Sequence, residues 1–344
     1  MEERLSVGIV GCGRAGEEHA RAYSSISGVR VLAVADIDEG KARDLARKCG
    51  ADTSYRDYNG ILEDPRIDAV SICLPHYLHS KVSVEAAEAG KHILCEKPMA
   101  NNLDEADEMI RAAKKAGVTL MIAENVRFHP INLKLKELIE QNHIGEVFLA
   151  RIFRDHEMHA YLRKRPWFLS KEKAGGGIWM AGGVHDVDAL RMLIGEVKTV
   201  SLFQAKRVFR EMEGDDTVAA ILRFRSDALG VVTESFSTKT FGQPSPHGCP
   251  SVINGSSGTI TVVSDEIKIY GEKVGNTDGC IRIKVEERDT FIEEIKHFRR
   301  CIEKGVEPVT SGEEERRTLA VVCAGYESLD MGGVPVEVNY QSES

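Results

Sequence analysis

Ten residues near the start, Val7-Gly8-Ile9-Val10-Gly11-Cys12-Gly13-Arg14-Ala15-Gly16, constrain this chain more than any other segment. They form a G-x-G-x-x-G that follows a β-branched run and opens a helical pattern, a context that predicts strand, turn and helix in succession. Gly11 allows the tight turn, Gly13 the close approach of a pyrophosphate, and Gly16 the packing of helix on strand. The helix start adds free amides and a positive dipole end. Asp36 closes the next strand, 20 residues after Gly16, the spacing expected of a carboxylate that accepts ribose hydroxyls. A carboxylate there repels a 2′-phosphate and no Arg follows it directly, so NAD is favoured over NADP, with Lys41 and Arg43 weighing the other way. Without a ligand the segment reads as a tight strand–helix turn; strand, helix and acid together favour a dinucleotide.

The same alternation runs on to about residue 123. Leu5–Val10, Val29–Ala35, Ala69–Leu74, His92–Leu94 and Thr119–Ile122 read as strands, and Gly16–Ser25, Glu39–Cys49, Leu78–Glu88 and Leu103–Ala116 as helices. Runs apolar on both faces suit a parallel sheet covered on both sides. The fold class is therefore α/β, opening with a Rossmann doubly wound sheet over residues 1–124. Gly90 and Gly117 stand where left-handed helix caps are needed. From residue 125 to 344 one helix, Asn132–Gln141, is followed by strand-like runs at Glu146–Phe153, Thr199–Arg207, Thr217–Arg225, Leu229–Ser237, Ser251–Asn254, Thr259–Val263 and Glu266–Tyr270. Short turns between consecutive strands imply a largely antiparallel open sheet. Helical blocks at Phe291–Lys304 and Gly312–Asp330 close this second α/β domain.

Composition narrows the partners. A net charge of -9, with no long basic run, argues against nucleic acid. No window approaches the ~18 apolar residues of a bilayer span, and Met-Glu-Glu-Arg leads into a strand without a signal-peptide core, so the expectation is a cytoplasmic protein with no membrane partner. Eight scattered cysteines without a C-x-x-C pair suggest reduced thiols and no thiolate zinc site.

Four further segments carry a family resemblance: Ser71-Ile72-Cys73-Leu74-Pro75-His76-Tyr77-Leu78-His79, Gly90-Lys91-His92-Ile93-Leu94-Cys95-Glu96-Lys97-Pro98, Glu124-Asn125-Val126-Arg127-Phe128-His129-Pro130, and Gly175-Gly176-Gly177 followed by Gly183-Val184-His185-Asp186-Val187-Asp188. In this order the sequence resembles the Gfo/Idh/MocA oxidoreductases, over nearly the whole chain. The resemblance implies oxidation or reduction of a sugar or cyclitol hydroxyl, and a homodimer or homotetramer. It makes Lys97 the residue at the reacting oxygen and His185 the proton relay. It implies a cofactor set of Gly11, Cys12, Gly13, Arg14, Ala15, Gly16, Asp36, Leu74, Pro75, His76, His79, Glu96, Lys97 and Asn125. The chemistry agrees, because hydride transfer from a carbinol carbon requires a base of near-neutral pKa for the hydroxyl proton and a cation for the developing alkoxide.

One departure matters: many members carry an Asp four residues before the catalytic histidine, and here Ala181 stands in that place. Asp188, one helical turn after His185, matches the family pattern and is the third catalytic candidate; either it or a loop residue orients the imidazole instead, or substrate and mechanism differ from those of inositol dehydrogenase. Substrate candidates are Lys97, His185, Arg127, His156, His159, Trp167, Trp179 and His247. Arg127 reads equally as a structural ion pair and Trp179 equally as core. His156 and His159 with His185 match no standard zinc spacing, so no metal is expected. Two competing readings stay open: a glycosidase or lyase that oxidises its sugar transiently on tightly held NAD, and a non-catalytic NAD-sensing protein.

Overall fold

The computed structural model describes residues 5–239, 246, 248–271 and 279–341. They divide into two units, residues 5–125 with Asp289–Arg316, and residues 126–288 with 317–341. The helix at Thr290–Lys304 thus belongs with the first unit, where Phe291 lies edge-on to His19 at 5.8 Å and Asp289 pairs with Arg21 at 2.6 Å.

In the first unit, β1 (Leu5–Val10), β2 (Val29–Ala35), β3 (Thr53–Tyr55), β4 (Ala69–Ile72), β5 (His92–Glu96) and β6 (Leu120–Ala123) make a parallel sheet in the order β3-β2-β1-β4-β5-β6. Helices α1 (Arg14–Ser24), α2 (Glu39–Cys49), α3 (Asn59–Leu62), α4 (His79–Glu88) and α5 (Leu103–Ala116) connect the strands. Strands buried on both faces, such as Val7, Ile9, Val70 and Ile72 at 0% exposure, explain the unbroken apolar runs. Gly90 and Gly117 take the left-handed φ expected of them, 73° and 68°. Strand order reverses between β1 and β4, and the crevice beyond the carboxyl ends of these strands is where such sheets take ligands. The three-residue β3 carried no readable pattern, being half-buried throughout.

The second unit opens with α6 (Pro130–Glu140) and β7 (Val147–Asp155), then short helices α7 (His159–Arg163), α8 (Pro166–Leu169) and α9 (Lys171–Ala174). A π-turn at Trp179–Gly183 leads into α10 (Val184–Ile194). Strands β8 (Val197–Gln204), β9 (Thr217–Phe224), β10 (Leu229–Ser235), β11 (Val252–Gly255), β12 (Gly258–Val263), β13 (Glu266–Gly271) and β14 (Cys280–Lys284) follow. In chain order α11 (Thr290–Lys304), which belongs to the first unit, precedes α12 (Gly312–Asp330) and β15 (Val336–Glu337). The sheet runs β14-β13-β12-β11-β7-β10-β9-β8-β15 and is antiparallel except where β7 and β10 pair in parallel. Ala150, Ile152, Val218, Ala220 and Leu222 bury one face. The opposite face exposes Phe153, Phe203, Ile221, Val263 and Tyr270.

Candidate cofactor and catalytic residues

The three glycines of the first turn divide their work as the spacing implies. Gly11 has φ 98°, and a Cβ on it would lie 2.2 Å from the Cys73 carbonyl oxygen. A Cβ on Gly16 would lie 2.0 Å from the Gly11 carbonyl oxygen. Both close a backbone contact that no side chain permits. Gly13 is the opposite case: it is exposed, and a Cβ there meets nothing within 4 Å. That open space before the start of α1, with Arg14 exposed and Ala15 half-buried, fits a pyrophosphate held by amides.

Asp36 stands at the end of β2 with both oxygens fixed: Cys12 N–H donates to Oδ2 and Asp38 N–H to Oδ1, each at 2.8 Å. Its lone pairs are thereby aimed from a half-exposed side chain, and Ile37 beside it is 89% exposed. Burial, with Asp36 second, pushes the Cys12 thiol up to about 12, so Cys12 stays protonated and serves through its backbone.

Leu74 and Pro75 follow β4 and are half-buried, while His76 is buried with its ring 5.8 Å from that of His79. His79 lies fully buried under this turn, Nδ1 at 2.8 Å from the Pro98 carbonyl and Nε2 at 2.8 Å from the Leu74 carbonyl. It ties the turn after β4 to the Glu96-Lys97-Pro98 turn after β5. Lys97 is half-buried and precedes a cis peptide to Pro98. Asn125 donates from Nδ2 to Thr290 Oγ1 at 3.0 Å.

Three residues that sequence reasoning missed support Glu96. His19 Nε2 lies 3.2 Å from Glu96 Oε1, His19 Nδ1 3.1 Å from Ser71 Oγ, and Ser71 Oγ 2.8 Å from Tyr23 Oη. Burial raises the Glu96 carboxyl, but His19 and the nearby charge of Lys97 outweigh it and hold Glu96 below the usual range. Glu294 on α11, wholly buried, goes the other way, because burial and the charges of Glu96 and Glu124 push it far up. The available signal was polar His19 on the apolar, sheet-facing side of α1.

In the second unit, His185 is 5% exposed at the first turn of α10, just after the π-turn, an irregularity that frequently marks functional sites. The following Asp186 is anchored by Arg154, beside Glu234, whose carboxyl is pushed up by burial and by the Asp186 charge. Asp188 does not stand free to orient the imidazole. Both its oxygens receive the Arg127 guanidinium, and Thr318 Oγ1 adds a hydrogen bond at 3.0 Å. Arg127 is therefore the structural ion pair, not an open substrate contact. Trp179 corrects likewise to core: it is 0% exposed, and its indole N–H donates to the Val322 carbonyl at 3.0 Å.

The segment after β7 is helical in part. His156 is half-buried, and burial and Arg154 lower its pKa. His159 contacts Ser237 Oγ at 2.9 Å and stacks on Phe209 at 4.3 Å. Trp167 is half-buried against Phe168. His247 lies outside the described residues. Among the described residues no group of three His, Cys, Asp or Glu is placed to hold a metal ion, and no helix is long and apolar enough to cross a membrane.

A 3-2-1-4-5-6 parallel sheet, open space at Gly13 before α1 and a pinned Asp36 are the features of a dinucleotide-binding Rossmann protein, with a histidine and a lysine as acid–base candidates. Comparison with known proteins makes the class specific. Residues 5–124 match the oxidoreductase family model with an NAD-binding Rossmann fold, and residues 132–273 match the GFO/IDH/MocA C-terminal domain. The chain belongs to the Gfo/Idh/MocA oxidoreductase family. It is 32% identical to a myo-inositol 2-dehydrogenase of Thermotoga maritima, covering 95% of this chain and 96% of that one. It is 29% identical to an NAD-dependent scyllo-inositol 2-dehydrogenase of Bacillus subtilis, covering 98% of each. Among solved structures, levoglucosan dehydrogenase in complex with NADH and levoglucosan superposes with a TM-score of 0.87 at 25% identity, covering 98% of this chain and 100% of that one.

Proposed function

We propose that this chain is an NAD-dependent dehydrogenase that moves a hydride between nicotinamide and a secondary hydroxyl or keto carbon of a sugar, sugar derivative or cyclitol. The observation that carries the reading is the pairing of the open turn at Gly13 with Asp36, whose oxygens are held by Cys12 and Asp38 amides. The near full-length likeness to inositol dehydrogenases supports the substrate class. NAD is favoured over NADP because a 2′-phosphate would meet the Asp36 carboxylate without a paired arginine.

Nicotinamide, when bound, supplies the hydride acceptor. The chain's own side chains do the rest. The carbinol O–H breaks as the C–H bond breaks and C=O forms, so its proton goes to His185, a general base contributing ~10²–10⁴ in rate. The Lys97 ammonium stabilises the developing alkoxide. Glu96, kept ionised by His19, supplies the counter-charge. Mixing the protein with NAD and a polyol panel, and following reduced-nicotinamide absorbance, tests the reading. Turnover of at least one polyol, lost on Lys97→Ala and on His185→Ala, is expected; silence on every polyol by protein that binds NAD counts against it.

The partner is a second copy of the chain, as homodimer or homotetramer, joined through the uncovered sheet face. Register puts Phe153, Thr233, Ala219 and Phe203 in one row across β7, β10, β9 and β8, and Arg151, Val231, Ile221 and Ser201 in the next. Phe203→Asp with Ile221→Glu lowers the mass seen by light scattering if this holds; an unchanged mass argues against it. The eight cysteines are thiols and not disulfides, which supports a reducing compartment, the cytoplasm.

A further inference from the structure

Lys97 follows directly on Glu96, and Glu96 ends a buried hydrogen-bond chain that runs back through His19 and Ser71 to Tyr23. An ionised carboxylate only accepts, so the proton at the 3.2 Å contact sits on His19 Nε2. His19 Nδ1 lies 3.1 Å from Ser71 Oγ, and Ser71 Oγ lies 2.8 Å from Tyr23 Oη. With the Nε2 proton directed at Glu96, every group in Tyr23–Ser71–His19–Glu96 has a partner. The ring cannot turn freely, because His19 is 0% exposed and packed by Phe291 at 5.8 Å and Tyr23 at 6.4 Å.

The chain matters because a second buried acid competes for the same charge. Titratable groups face Glu96 from each element around it: His19 from α1, Cys73 after β4, Lys97 in its own turn, His79 from α4 and Glu294 from α11, with Glu124 facing Glu294. Among the described residues neither Glu294 oxygen has a hydrogen-bond partner. Of these two acids, Glu96 alone has the imidazole donor.

We propose that His19 is a positioning residue for the dehydrogenase reaction: by donating from Nε2 it fixes the negative charge on Glu96 and so holds the Lys97 ammonium charged and aimed. This rests on Lys97 acting at the reacting oxygen. Burial opposes ionisation of Glu96, and His19 is the largest influence against that opposition. With a leucine in place of His19, Glu96 takes up a proton and Lys97 loses its neighbouring anion, so the Lys97 ammonium ionises at lower pH. An opposite charge at short range shifts a pKa by ~1–3 units.

The test compares His19→Leu and His19→Gln with the unaltered protein over a pH series, against the polyol that the panel yields. For His19→Leu the alkaline limb of kcat/KM moves acidward by about one unit and kcat falls about tenfold, while KM for NAD stays within about twofold. His19→Gln, whose amide still donates to Glu96, restores most of both. Superimposable pH profiles overturn the proposal, whatever happens to the melting temperature, because a merely structural role lowers the folded fraction without moving a limb. If neither variant folds, ¹⁵N NMR of histidine-labelled unaltered protein decides without any turnover. A proton on His19 Nε2 is the expected result, and protonation on Nδ1 alone overturns the proposal. That spectrum stands even if no polyol is turned over, so failure of the activity reading and of this one are read separately.

Discussion

Arg127 and Asp188 meet in a two-point ion pair, Nε on Oδ2 at 2.5 Å and Nη2 on Oδ1 at 2.6 Å, with the Asp188 side chain wholly shielded and that of Arg127 10% exposed. The pair joins the turn after β6 to α10, the helix that carries His185. It reassigns two residues at once. The arginine read as a candidate substrate contact and the aspartate read as the orienter of His185 spend their charges on one another, sixty-one positions apart in sequence.

Breaking one side of a buried pair strands the other charge, which costs ~3–5 kcal/mol, whereas replacing both partners with apolar groups is often nearly neutral. Arg127→Met or Asp188→Asn is thus expected to lower the urea midpoint markedly, and Arg127→Met with Asp188→Leu to recover most of the loss. Single variants costing under ~1 kcal/mol would show that the pair is not structural.

What could be read beforehand follows from where each signal resides. The β-α-β half is legible because its strands are apolar on both faces and its turns carry forced residues, Gly11 and Gly16 for contact and Asp36 for a ligand. Helix α10 was not, since all but one of its residues from Val184 to Leu193 are buried, which erases the amphipathic period. The roles of His19, Asp188 and Trp179 were not legible either. Each is decided by one partner far along the chain, at Glu96, Arg127 and Val322.

Asp36→Ala removes the acceptor held by the Cys12 and Asp38 amides. A hydrogen bond to a charged group is worth about 1.5–3 kcal/mol, so KM for NAD is expected to rise about tenfold to a hundredfold. NADP, freed from repulsion, changes little or improves, and the ratio of the two specificity constants collapses. An unchanged ratio would mean that Asp36 does not select the cofactor.

Acid should weaken the second unit through Glu196. Burial opposes its ionisation, but Arg191 at 2.9 Å and Arg317 at 2.8 Å bring it down to about 2. A carboxyl depressed on folding adds stability above its unfolded pKa near ~4.3 and loses it as pH falls towards 2. With the group half in solvent, the contribution is on the order of 1 kcal/mol. Glu196→Gln is accordingly expected to be less stable than the unaltered protein at pH 6 and to approach it at pH 2.5, measured by denaturant midpoints; a constant gap across that window contradicts the assignment.

Gly13→Ala separates folding from binding. The backbone at Gly13, φ -80° and ψ -168°, suits any residue, and its Cβ would meet no protein atom within 4 Å. The melting temperature should therefore barely move. The added methyl enters the space that the pyrophosphate needs against the amides of α1, so NAD binding weakens at least tenfold in calorimetry. Gly16→Ala is the contrast, because its Cβ would sit 2.0 Å from the Gly11 carbonyl oxygen and α1 must lift off the sheet. There stability falls first and binding falls with it. If Gly13→Ala binds NAD as tightly as the unaltered protein, the cradle lies elsewhere and the assignment of this turn to the cofactor fails.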